Sequence, residues 1–219
     1  MIKKEDHKEE KSEDNDTSDE SKNVLGLLNS MAAPQLRMLS LYGDLDEKKG
    51  AEITYSLFAY RDLKKFVPVD MENPKSDIIQ ITEPLQFLIS TPGGSAADMF
   101  SIYDCMKIVE KDMDIHTIGI GKVMSAGVLL LAAGTKGKRS IGKNCRVMIH
   151  AVQAGTGGSS HDIKNEVDEI MQTQEQYIKC LAQETTMNVK QIRELIDEKR
   201  NIYLSAKEAK KYGIVDEIL

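Results

Sequence analysis

Ile115-His-Thr-Ile-Gly-Ile120-Gly-Lys-Val-Met-Ser125-Ala126-Gly127-Val-Leu-Leu-Leu-Ala-Ala133-Gly134 is the stretch on which the fold turns. Ile115 to Ile120 has the composition of a strand. Ser125 to Ala133 has the composition of a helix that is apolar on nearly every side, so it must be buried. Gly134 stands where a C-terminal cap belongs. The same alternation extends in both directions. Upstream, Leu85 to Ser90 is a buried strand ending at Thr91-Pro92-Gly93-Gly94. Ala96 to Val109 is then a helix with Met99, Ile102, Tyr103, Met106 and Val109 on one side. Downstream, Cys145 to His150 is a further strand. Strands alternating with helices predict an α/β fold.

The outer segments complete the outline. Val24 to Met31 has helical spacing, Arg37 to Tyr42 alternates as a strand does, and Ala51 to Tyr60 is a helix. Val67 to Pro84, rich in Pro, Asp and Lys, is predicted to be an irregular insertion. After a Gly-rich loop, Gly155 to Ser160, a long helix runs from about Asp162 to Glu184. Its apolar positions Ile163, Val167, Ile170, Met171, Tyr177, Ile178 and Leu181 form one stripe. Val189 to Ile196 is a short helix. Ser205 and Glu208 make a capping box for a helix that Gly213 ends, and Ile214 and Val215 start a last strand.

Residues 1–22 differ in kind. Nine are acidic and five basic, and Met1 and Ile2 are the only large apolar ones, so this segment is predicted to be a disordered acidic tail ahead of a single domain over 23–219. The formal net charge of −6 gives no nucleic-acid surface and disfavours anionic membranes. The most apolar run, Ala126 to Gly134, is far short of the roughly 20 residues a membrane span needs. Met1-Ile-Lys-Lys is not followed by the apolar stretch of a signal peptide. Cys105, Cys145 and Cys180 are odd in number and lack metal-site spacing, which suits free thiols in a reducing cytoplasm. No metal or organic cofactor is expected. Gly137 to Asn144 approaches a phosphate-binding loop, but it ends in Asn and runs into a strand, so it is set aside.

Three features carry chemistry. Ser125 enters the buried helix, where a serine is either an N-cap or a nucleophile beside free N–H groups suited to an oxyanion. His150 ends an apolar strand, where a structural histidine is the commoner case. Pro92-Gly93-Gly94 is a turn, or else a bare backbone beside a reacting carbonyl.

Taken together these motifs resemble the Clp protease proteolytic subunit family, within the crotonase-like superfamily and including divergent or viral members. The family's Ser-Pro-Gly-Gly strand end is similar to Ser90-Thr-Pro-Gly-Gly94, which has an extra threonine. Its Leu-Leu-Ala-Ala-Gly-x-Lys-Gly-Lys-Arg matches Leu130 to Arg139, and its Arg-Val-Met-Ile-His matches Arg146 to His150. Its Leu-Ser-Ala-x-Glu-Ala-x-x-Tyr-Gly-x-Val-Asp ending matches Leu204 to Asp216. The resemblance spans about Leu85 to Leu219, and more faintly reaches back to Arg37.

The resemblance implies a ββα-spiral α/β fold with a protruding handle helix. It implies Ser125 as nucleophile, His150 as general base, and the N–H groups of Gly94 and Ala126 as the oxyanion hole. Gly93, Gly155, Gly157 and Gly158 are implied to pair with an extended peptide. It further implies heptameric rings stacked as a tetradecamer, a AAA+ Clp unfoldase that spends the ATP, and unfolded polypeptides as substrates. The third catalytic slot, aspartate in the family, falls on Asn201, with Asp197 as the competitor because the segment before Tyr203 is about two residues longer than usual. The rival functions are a capsid-maturation protease on the same fold and a catalytically weak ring subunit.

Overall fold

In a computed structural model the described residues are 36–70, 76–155, 157–197 and 201–219. The tail over 1–22 and the helical spacing of Val24 to Met31 lie outside them. Two units divide the chain, one made of residues 1–35 and Lys64–Ile81, the other of Leu36–Leu63 and Thr82–Leu219.

In the first unit, β2 (Lys65–Pro68) and β3 (Ile78–Ile81) form an antiparallel pair with Lys65 opposite Ile81 and Pro68 opposite Ile78. The expected irregular insertion therefore carries strand pairing at residues 67–68 and 78–81. Three prolines and two aspartates give it the look of irregular chain, but Phe66, Val67, Ile78, Ile79 and Ile81 supply the β-branched and aromatic residues that favour strand.

The second unit holds a seven-stranded sheet. Its strands are β1 (Met38–Tyr42), β4 (Leu85–Thr91), β5 (Ile115–Met124), β6 (Ser140–Ile141), β7 (Arg146–Ile149), β8 (Ile202–Leu204) and β9 (Glu217–Ile218). The order is β1-β4-β5-β6-β9, and β7 joins β5 to β8. Every pairing is parallel except β7 with β8. Parallel neighbours need crossovers, which the helices supply: α1 (Glu47–Asp62), α2 (Ala96–Val109), α3 (Ala126–Ala132), α4 (Ser160–Glu184), α5 (Val189–Asp197) and α6 (Ala206–Lys211). The α/β expectation holds.

β5 positions everything that follows. Ile89 of β4 pairs with Gly119, but Thr91 pairs with Val123, so two steps on β4 span four on β5. The surplus is a bulge at Gly121, whose φ of 62° suits glycine. Past the bulge β5 changes partner, from β6 at Ile118–Gly119 to β7 at Lys122–Met124. The bent end then feeds α3, and every residue of α3 is buried. Leu85, Phe87 and Ile89 of β4 are fully buried with it, each contributing about 1.5–3 kcal/mol.

Two end-of-element expectations change. Gly134 lacks the left-handed conformation of a cap; a Cβ there would lie 2.4 Å from Thr117 Oγ1, so close packing on β5 explains the glycine. Ile214 and Val215 are buried but precede the last strand, which starts at Glu217.

Candidate active site

Ser125 sits at the N-cap position of α3 with φ 54° and ψ −122°, and its side chain makes no capping bond. It is the one non-glycine residue with positive φ among the described residues. Such a backbone costs about 1–3 kcal/mol and persists only where its surroundings hold it. They do so here: Ser125 N–H donates to Met148 O at 2.8 Å, and Ser125 O accepts from Val128 N–H at 3.0 Å and from Tyr177 Oη at 3.4 Å. The hydroxyl is left unspent at a strand-to-helix turn, the placement a nucleophile needs.

The glycines after β4 close on that turn. Leu45 N–H donates to Gly93 O at 2.8 Å, and Ser95 N–H donates to Leu45 O at 2.9 Å. In a parallel bridge of this kind Gly94 faces its own N–H and C=O away from Leu45. Neither glycine tolerates a side chain. A Cβ on Gly94 would meet Leu45 O at 2.1 Å, and one on Gly93 would meet Ser125 Cβ at 2.6 Å. Ala126 begins α3, so its N–H has no intrahelical acceptor.

His150 follows β7 and is half-buried. Burial holds its imidazole below the ordinary value of 6.5, which keeps it neutral and able to accept a proton near neutral pH. Its Nδ1 is buried without a partner among the described residues. Asn201 is exposed and leaves that nitrogen uncapped. Yet Ile149 and Ile202 are the last pair of the antiparallel β7–β8 ladder, and the same register carried one step past it would set His150 opposite Asn201. The side chain of Asp197 lies outside the described residues.

Ser125, Ala126, His150 and Gly94 line one pocket of about 490 Å³ with Pro92, Ser95, Ala96 and Met99. Gly93 lies directly behind Ser125. Gly155, Gly157 and Gly158 do not line this pocket; they sit on the exposed lead-in to α4, where Val152, Gln153 and Ala154 line it instead. Val152 N–H donates to Gln174 Oε1 at 3.2 Å, tying that segment to α4. The remaining lining comes from α4 itself, as Glu169, Ile170, Thr173 and Tyr177. Sequence reasoning missed Glu169 and Thr173. The available signal was their i, i+4, i+8 spacing with Tyr177. Among the described residues no group of three His, Cys, Asp or Glu could hold a metal ion, and no helix is long and apolar enough to cross a membrane.

Residues 52–219 match the family model described as Clp protease. The chain is 35% identical over 187 residues to the ATP-dependent Clp protease proteolytic subunit 1 of Prochlorococcus marinus strain MIT 9312, covering 84% of this chain and 90% of that protein. It is likewise 35% identical over 187 residues to the protein of that name from Prochlorococcus marinus subsp. pastoris strain CCMP1986, covering 84% of this chain and 89% of that one.

Proposed function

The chain belongs to the Clp protease family, and from that premise we propose that it is a serine endopeptidase, the proteolytic subunit of a Clp-type protease, with Ser125 as nucleophile and His150 as base. The observation that carries the assignment of roles is the strained Ser125 backbone with an uncommitted hydroxyl in the pocket that His150 also lines. His150 takes the hydroxyl proton as Ser125 Oγ bonds to the scissile carbonyl carbon. The resulting oxyanion accepts hydrogen bonds from the N–H groups of Gly94 and Ala126; one such donor is typically worth about 3 kcal/mol. His150 then returns its proton to the departing amine. Water, deprotonated by the same imidazole, releases the acyl group from Ser125. Fluorophosphonate labelling of Ser125, with loss of peptide hydrolysis in Ser125→Ala, tests the reading. Retained turnover by that variant would sink it.

Unfolded polypeptide is the substrate class that an open backbone site serves. Assembly into stacked heptameric rings fed by a AAA+ unfoldase is part of the proposal. It is supported by the family and by the apolar residues left exposed on α4. Three free cysteines suit a cytoplasmic location. One observation favours a slow or conditional enzyme over a fully active one. His150 Nδ1 lacks an acceptor among the described residues, so the imidazolium formed during attack is unsupported until a group such as the Asn201 carbonyl turns onto it.

A further inference from the structure

The pocket around Ser125 has two kinds of wall. Met99, Ala96, Val152 and Ile170 are apolar, and Tyr177 presents a ring. Glu169 is the one acidic residue among the lining residues, and no lysine or arginine lines the pocket. Among the described residues no ion pair or hydrogen bond engages the Glu169 carboxyl. Thr173, one helical turn further along α4, adds a hydroxyl on the same face. His150 does not offset the negative charge while its imidazole is neutral. A long apolar stem ending in a cation fits these walls: the methylenes lie on Met99 and Ile170, and the head meets the carboxylate. An acidic side chain would be repelled there.

We propose that Glu169 is a specificity-determining residue of the peptidase site, selecting a basic side chain of the polypeptide near the scissile bond through the one carboxylate in an otherwise uncharged, half-apolar pocket. This rests on the reading of that pocket as the peptidase site. Because Glu169 is exposed, the preference is modest, about two- to fivefold in kcat/KM.

The test uses the full-length protein and fluorogenic peptides identical except at one position. Lysine, norleucine or glutamate is placed in turn at each of the three residues on the acyl side of the cut. At one of these positions lysine is expected to exceed norleucine, and norleucine to exceed glutamate. Glu169→Gln should level the series and Glu169→Lys should invert it. In the unaltered protein, raising the salt should shrink the lysine preference toward unity, a readout that requires no variant. Equal cleavage of the three peptides at every position, or a lysine preference unmoved by salt and by Glu169→Gln, overturns the inference. Fluorophosphonate labelling is followed alongside. Labelled Ser125 with flat selectivity removes Glu169 alone, whereas absence of labelling removes the peptidase reading and this inference with it.

Discussion

At Ser125 the chain accepts a backbone strain that its neighbours are shaped around. Gly93 is the closest of them: its φ of 112° and the 2.6 Å that a Cβ would leave to Ser125 Cβ make it irreplaceable. Gly93→Ala should therefore displace Ser125, the proposed nucleophile. Since a shift of about 1 Å can cost on the order of a hundredfold, we expect a fall of that size in the rate of fluorophosphonate labelling, with far-UV circular dichroism unchanged. His150 gives a pH prediction. Its pKa is lowered in the fold, so the neutral base persists below pH 6.5 and the acid limb of kcat/KM lies below that value. The stability link has the same sign. The unfolded chain binds the extra proton first, so stability contributed by the neutral imidazole is lost as pH falls from 6.5 through the folded value. Asn201→Asp tests the cross-strand position. An aspartate opposite His150 would accept from Nδ1, raise turnover severalfold or more, and move the acid limb upward. Unchanged turnover together with an unmoved limb would exclude Asn201 from the site.

At the scale of elements, α4 is two helices in one. Its predicted single apolar stripe parts in the structure: Tyr177, Ile178 and Leu181 are buried against the core, while Ile163, Val167 and Met171 are exposed. Periodicity finds the helix but not the division, because both halves obey the same spacing. The buried half ends at Glu184, which is 5% exposed. Its carboxylate meets Lys107 and Lys136 and accepts from Tyr103 Oη at 2.9 Å. Arg139 donates to Glu184 O at 2.6 Å and pairs with Asp216. The Arg139 guanidinium holds the Asp216 carboxyl at about 2, so that pair stabilises the fold above the ordinary carboxylate range and is lost as pH falls toward 2. Glu184→Ala should cost about 1–3 kcal/mol in denaturant unfolding, below the roughly 3–5 kcal/mol of a fully buried broken pair because both lysines are partly exposed. These long-range pairs were invisible in the sequence, where Glu184 only ended a helix. The α2 boundaries and the Ser205–Glu208 capping box were legible, since local chemistry fixes them. The β5 bulge was not, because a change of partner strand is a tertiary event. Ser125 and His150 were visible as residues, but their shared pocket was visible only through the resemblance to a family.

For the whole molecule, the exposed half of α4 poses the question of what covers it. Ile163, Val167 and Met171 are 40%, 46% and 54% exposed and follow one another at i, i+4 and i+8 along one side of the helix. A helix that long, exposed at every residue from Ser160 to Glu169, has little of its own core to rest on. Pairing with the same helix of another copy buries the stripe of both copies at once, because a two-fold contact makes every interaction twice. At about 1.5–3 kcal/mol per fully buried large side chain, three such residues on each of two helices suffice to offset part of the loss of freedom on association. The proposed stacked rings supply that geometry seven times over. Val167→Asp would place two like charges in each such contact. Sedimentation should then show the particle halving from a double to a single ring, with the monomer's far-UV spectrum intact and Ser125 labelling slowed. A monomer at micromolar concentration before any substitution, or a particle whose size ignores Val167→Asp, would mean that this face meets something other than a second copy of the chain.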